Sequence, residues 1–296
     1  MNSDSTEKFQ KETGKKSSRR KVIVTVIILP VLLIFLLVLF LSKLESVYPQ
    51  VGAEVIRKEA AIIIGVEPNE LNDEDFEKIE VLNLSRKTIC DIKLLEKFTN
   101  LKELNLSFLA VPKTKKPKWM TLLAKFNIYN SSQSKVIDLS PLKNLTNLRK
   151  LELRMTAVKN IKPLARLKNL EILILDSSHI ENIKPLSNLV KLKELDISFT
   201  KVSDLKSLKK ITNLKILKLD FTKVRDLEPI GNLSNLQSLS VAASPISDLE
   251  PIKKLDNLKE LDLRKCDKIT NKQVEDLKST LTNLKILKET GKDDAR

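Results

Sequence analysis

Apolar residues along this chain fall into two regimes. From Val22 to Leu41 they form an almost unbroken run. From Ile79 onward they form short cores separated by polar stretches, and between Leu148 and Lys265 those cores recur every 22 residues. The cores are Leu151-Glu152-Leu153, Leu173-Ile174-Leu175, Leu195-Asp196-Ile197, Leu217-Lys218-Leu219, Leu239-Ser240-Val241 and Leu261-Asp262-Leu263. A second apolar residue follows each at Val158, Ile180, Val202, Val224, Ile246 and Ile269, the last one residue late. Alternate residues of a strand share a face, so the outer two of each core point inward and the middle one faces open space. A unit this short cannot bury its apolar face alone. Stacking in register on its neighbours solves that, which predicts a solenoid with a parallel sheet along one side.

Two polar series run in step with the cores. Thr156, Ser178, Thr200, Thr222, Ser244 and Cys266 stand five residues after each first leucine. They read as a ladder that ties the inward-turning backbone, whose polar groups cannot stay unpaired when buried. Asp91, Asp138, Asn160, Asn182, Asp204, Asp226 and Asp248 each precede an apolar residue and are expected to N-cap a short helical turn on the outer side. Their regular spacing marks them as architecture rather than as a catalytic set.

The rest of the chain anchors, caps or interrupts the array. Residues 1–21 are polar and basic and read as a disordered tail. Val22 to Leu41 carries no charge, with only Thr25 and Pro30 breaking its apolar character, and is long enough to cross a ~30 Å hydrocarbon core as a helix. A cleaved signal peptide would have a shorter apolar region and a small-x-small cleavage site. We therefore expect an uncleaved signal anchor over 22–42, with the basic tail in the cytoplasm and the array outside it, periplasmic or extracellular. Residues 43–78 are expected to form a helical N-terminal cap. One helix spans Glu54 to Ile64 on the apolar positions Val55, Ile56, Ala60, Ile63 and Ile64, and stops at Gly65. A second, short helix opens at Asn72. Repeats occupy 79–290, and residues 291–296 form a polar tail. The second repeat is broken by an insert of about 25 residues at about 112–136. The last unit contains a capping box, Thr270 to Gln273, opening a helix to about Thr280, and then a strand fragment at Leu284 to Leu287.

Charge and chemistry narrow the function. The formal net charge is +15, about +4 of it in the tail and about +11 in the remainder. Such a balance suits a lysine-rich solvated surface, anionic lipid or a cell wall, and nucleic acid is not expected for an array outside the cytoplasm. His179 is the only histidine, so a histidine-based metal cluster or catalytic triad is not available. Cys90 and Cys266 fall in the first and last full repeats, roughly 30 Å or more apart at ~4.8 Å per strand, too far for a disulfide within one copy. No G-x-S-x-G, P-loop or H-E-x-x-H motif occurs, so neither an enzyme nor a cofactor is expected.

The pattern L-x-x-L-x-L-x-x-T-x-[VI]-x-D-L-x-P-[LI]-x-x-L-x-N, carried almost throughout by Leu214 to Asn235, resembles the 22-residue bacterial leucine-rich repeats of internalin-type proteins. It is also similar to the repeats of protein phosphatase 1 regulatory subunits. The resemblance covers about 79–290, and the helical segment before it looks like the cap of bacterial members. It implies an α/β leucine-rich repeat solenoid, with a curved parallel β-sheet on the concave side and short helical turns on the convex side. It also implies protein binding through the concave sheet and no catalysis. The N-terminal membrane helix and the basic insert depart from the pattern.

Register then places candidate binding residues on the concave face: Glu152, Arg154 and Met155; Ile172, Ile174 and Asp176; Glu194, Asp196 and Phe199; Ile216, Lys218, Asp220 and Phe221. Apolar groups ringed by acids suit a protein-interface hot spot. Phe199 and Phe221 occupy equivalent places, so their rings are expected side by side. A second candidate is the insert, where Lys113, Lys115, Lys116 and Lys118 interleave with Trp119 and no acid occurs from Ala110 to Lys135. That composition fits contact with anionic lipid or cell-wall polymer, and equally a loop folded back over the solenoid.

Overall fold

A computed structural model describes residues 52–89, 91–109 and 137–288. The expected tail at 1–21, the anchor at 22–42, Cys90, the insert with Lys113, Lys115, Lys116, Lys118 and Trp119, and the terminus at 291–296 lie outside the described residues. Among the described residues no helix is long and apolar enough to cross a membrane.

The described residues build one nine-stranded sheet whose strands follow chain order: β1 (Val81–Asn83), β2 (Glu103–Asn105), β3 (Lys150–Glu152), β4 (Ile172–Ile174), β5 (Glu194–Asp196), β6 (Ile216–Lys218), β7 (Ser238–Ser240), β8 (Glu260–Asp262) and β9 (Lys285–Leu287). All neighbours are parallel, and the register is fixed by the inward leucines: Leu151 pairs with Leu173, Leu173 with Leu195, Leu195 with Leu217. These central leucines are fully buried, as period-2 alternation requires. Leu104 pairs with Leu151, 47 positions on, where Leu82 pairs with Leu104 at 22. The interruption is therefore 25 residues long and leaves the ladder in register.

The outer turns are short 3-10 segments, such as Lys162–Arg166, Lys184–Leu186 and Glu228–Ile230, rather than α-helical turns. The Asp/Asn series acts one residue earlier than expected. Asp226 Oδ1 accepts from the backbone N of Glu228 at 2.8 Å, and Asp91, Asp138, Asn160, Asn182, Asp204 and Asp248 each do the same two residues on. The N-cap position itself falls on an apolar residue, Leu227 in this unit, with no side-chain cap. The acid makes an Asx turn that leads the chain into the 3-10 segment, because Leu227 must turn inward to the core at that point.

The N-terminal cap closes the first repeat. Helix α1, over 52–64, buries Ile56, Ala60 and Ala61. Gly52 starts it so close to the first repeat that a Cβ there would lie 2.3 Å from the Asp91 carbonyl oxygen. Gly65, at φ +84, ends it. Contrary to expectation, Ile63 is exposed with Ile62, because in that last turn Ala61 and Ile64 take the side that meets the core. Helix α2 (Asp73–Glu77) carries a capping box between Asn72 and Asp75, and its Phe76 ring packs on Phe98 of the first repeat at 5.0 Å. At the other end, helix α3 (Asn271–Thr280) opens on the Thr270–Gln273 capping box and leads into β9.

Candidate protein-binding face

The residue after each strand's outward turn decides what the sheet presents. Four positions beyond each central leucine the backbone enters the left-handed region: φ is 51 at Met155, 57 at Ser177, 56 at Phe199, 53 at Phe221, 53 at Ala243 and 59 at Lys265, with Arg86 and Phe108 alike. No glycine occupies the position, so each unit carries roughly 1–2 kcal/mol of backbone strain there. The conformation has two effects. The turn residue donates its N–H to the next unit, Phe199 to the Asp220 carbonyl at 2.7 Å and Phe221 to that of Ala242 at 2.8 Å. It also directs the following side chain into the core. Thr156, Thr200 and Thr222 donate to Leu153, Ile197 and Leu219 carbonyls at 2.6, 2.6 and 2.7 Å, and Ser244 reaches the Leu219 carbonyl at 2.7 Å. Cys266 is buried as expected, its thiol pushed up by burial. Ser178 alone in this ladder has a buried hydroxyl without a partner.

With the backbone so fixed, Met155, Phe199 and Phe221 stand out from the open face, 56%, 55% and 47% exposed. The rings of Phe199 and Phe221 stack at 4.6 Å and 13°. The side-by-side arrangement expected from register is therefore present. Ile174 and Asp196 also sit on this face but, against expectation, are buried, each flanked at the ~4.8 Å strand spacing by aligned residues on both sides, Glu152 and Asp196 for Ile174, Ile174 and Lys218 for Asp196. Arg154, Asp176, Lys218 and Asp220 complete the patch.

The carboxylates here are held in different ways. Asp176 lies with one oxygen 3.0 Å from Arg154 Nε, an ion pair without hydrogen-bond alignment, and burial followed by the charge of Asp196 pushes its carboxyl up. Asp220 accepts from the Ser240 hydroxyl and, at 2.8 Å, from the Ala242 N–H, yet burial still pushes it up. Asp196 accepts from Ser198 N at 3.0 Å, with Lys218 Nζ at 4.0 Å. Burial opposes the charge of Asp262 as well, but its bonds to Arg264 outweigh that and hold it down. Among the described residues no group of three or more His, Cys, Asp or Glu side chains is arranged to hold a metal ion.

Two shallow hollows, of about 240 and 140 Å³, lie among the first repeats. One is bordered by Asn100, Asn147 and Asn169, the other by Val81, Asn83 and Glu152. Both are away from the phenylalanine pair.

The family model for leucine rich repeats (two copies) matches residues 190–232. Internalin C2 from Listeria monocytogenes is similar in structure with a TM-score of 0.67 and 25% identity, over 82% of this chain and 96% of that one. Residues 190–232 are thus leucine-rich repeats, and the array as a whole shares the fold of internalin-type repeats. Internalin F from the same organism shares the fold with a TM-score of 0.53 and 22% identity, over 81% of this chain and 76% of that one. No curated protein matches the sequence.

One feature of this leucine-rich repeat array is marked in the sequence by spacing alone. The asparagine that ends most repeats reaches back one unit. Asn213 Nδ2 donates to the Val190 carbonyl at 2.8 Å, Asn235 to Thr212 and Asn257 to Ser234, and Asn100, Asn147 and Asn169 do likewise. Its 22-residue spacing was the available signal.

Proposed function

We propose that the chain is a membrane-anchored binding module. Residues 22–42 hold it in the bilayer as a signal anchor and the basic tail stays in the cytoplasm. The repeat array lies outside the cytoplasm, periplasmic or extracellular, and binds a partner protein on the open sheet face in an adhesion, scaffold or envelope-assembly role. The anchor rests on the uncharged run from Val22 to Leu41 and the basic residues before it. The binding role rests on one observation above all: two stacked, half-exposed phenylalanines on a rigid nine-stranded sheet. Exposed aromatics held by packed backbone lose little conformational freedom on binding and serve as anchors. The protein acts by binding, not by catalysis.

The test is photo-crosslinking in the native cell. Benzoylphenylalanine placed at Phe199 should yield a discrete adduct with one partner, while the same group at Val190, exposed but off the sheet face, should not. If capture survives Phe199→Ala with Phe221→Ala but is abolished by Lys-to-Ser changes at Lys113, Lys115, Lys116 and Lys118, the insert binds instead. Alkaline carbonate washing should leave the chain with the membrane. Release of a chain starting near residue 45 would show a cleaved signal.

A further inference from the structure

The chain twice seats a cation of its own on a ring in the column of turn residues. The Arg86 guanidinium lies 5.6 Å from the Phe108 ring centre. Lys265 Nζ reaches past Ala243 to 6.0 Å from that of Phe221. Phe199 is the third ring of the column, and it is arranged differently. Phe221 covers one of its faces. Because the two rings are stacked at about the spacing of the strands, the other face looks back along the array. The equivalent residue there is Ser177, whose side chain is too short to cover a ring. No described cation lies over Phe199, which remains half exposed.

The surroundings favour positive charge. Asp176 immediately precedes Ser177, and Asp196 lies on β5 just before Phe199. The two are near enough for the charge of Asp196 to push the Asp176 carboxyl up. The open positions of β4 to β7 with their turn residues hold four carboxylates, Asp176, Glu194, Asp196 and Asp220, against Lys218 alone. The patch is thus −3 by formal count, and −2 with Arg154, in a chain of +15. Burial disfavours the charge of Asp176 even with Arg154 Nε at 3.0 Å, so a cation brought by a partner relieves a penalty the fold itself leaves standing.

We propose that the face of Phe199 turned toward Ser177, bordered by Asp176 and Asp196, receives an arginine or lysine side chain from a partner protein's segment laid on the open sheet. This rests on the reading of that face as the binding surface and adds the chemistry of what it takes. A cation held between an aromatic face and desolvated carboxylates gains from both at once.

The test uses the full-length chain in detergent micelles and phage-displayed random dodecapeptides as the probe. Retained peptides are resynthesised and measured by fluorescence anisotropy. The expected result is that each contains an Arg or Lys whose replacement by citrulline or norleucine weakens binding tenfold or more. Ser177→Lys, which supplies the ring with an internal cation as Lys265 does for Phe221, should weaken binding at least as much. Ala243→Lys adds the same charge in the same column on the far side of the stack and should cost no more than about threefold. Ser177→Phe is a second, uncharged block that the turn already accommodates at Phe199 and Phe221. Two results overturn the proposal. In one, the retained peptides bind without need of a cation yet are lost on Phe199→Ala with Phe221→Ala; the face then binds, but by other chemistry. In the other, the peptides are unaffected by that double substitution; the open-face reading itself then fails.

Discussion

Lys191 Nζ donates to Asn169 Oδ1 at 2.7 Å, at the one repeat end between Asn147 and Asn257 where lysine replaces asparagine. The neighbouring units close their backbones with an amide. Asn169 donates to the Thr146 carbonyl and Asn213 to that of Val190. Lys191→Asn should restore the missing rung to the Lys168 carbonyl, because the backbone there follows the same repeat. A net hydrogen bond is worth about 1 kcal/mol, so thermal unfolding should rise by roughly 2–4 °C. An unchanged or lower midpoint would mean that the lysine contact already does the amide's work.

Register is open to a sharper check. Leu195 is fully buried, while Glu194, one residue away, lies on the open face. Leu195→Ala should lose roughly 2–5 kcal/mol of stability in urea denaturation, through lost transfer energy and the cavity left behind. Glu194→Ala should lose under about 0.5 kcal/mol. Equal losses would contradict the burial of one face only.

What could be read in the sequence was whatever repeats with the backbone's own period. The inward leucines, the Thr200-type ladder, the helix start at Asn72 and the Thr270–Gln273 capping box follow from spacing alone, since each makes its contact within its unit or with an identical neighbour. What could not be read depends on which side chain stands next door. Ile174 and Asp196 share the open face with Ile172 and Glu194, but only assembled neighbours show that they are covered. Ile63 is apolar and near the buried phase of its helix, yet Ala61 and Ile64 take the core-facing side of that turn. The left-handed turn at Phe199 and Phe221 carried no glycine to announce it. The Asx geometry of Asp226 was shifted by one residue because a hydrogen bond two residues on and an N-cap look alike in a sequence.

Acidity should act on this face with a definite sign. The carboxyls of Asp176 and Asp220 are pushed up in the folded chain, chiefly by burial. The folded state therefore holds their protons more tightly than the unfolded state does. Their charge destabilises the fold above the folded pKa, and the penalty is relieved as pH falls through it. Asp176→Asn should accordingly raise the unfolding temperature at pH 7, since Arg154 is exposed enough to be solvated without its partner. Asp220→Asn should do so less, since its bonds to Ser240 and Ala242 support the charged form. Both gains should shrink on acidification and vanish below about pH 4, the ordinary carboxylate range. A gain that persists there would trace to packing rather than charge.

The stacked phenylalanines should matter far more to binding than to folding. Each ring is about half exposed and sits on a turn whose conformation costs stability rather than providing it. Truncating either to alanine removes little buried apolar area. The pair itself is worth at most about 0.5–1.5 kcal/mol beyond that area. A double-mutant cycle on Phe199→Ala and Phe221→Ala, followed by urea denaturation, should give a coupling within that range and an unchanged dependence on denaturant. Anchoring aromatics typically cost about 2 kcal/mol or more of binding when truncated. The double variant should therefore keep nearly all its stability while losing partner affinity by more than thirtyfold, the equivalent of about 2 kcal/mol. If it instead lost more than about 3 kcal/mol of folding stability, the stack would be a structural clamp between β5 and β6, and its exposure would not mark a binding surface.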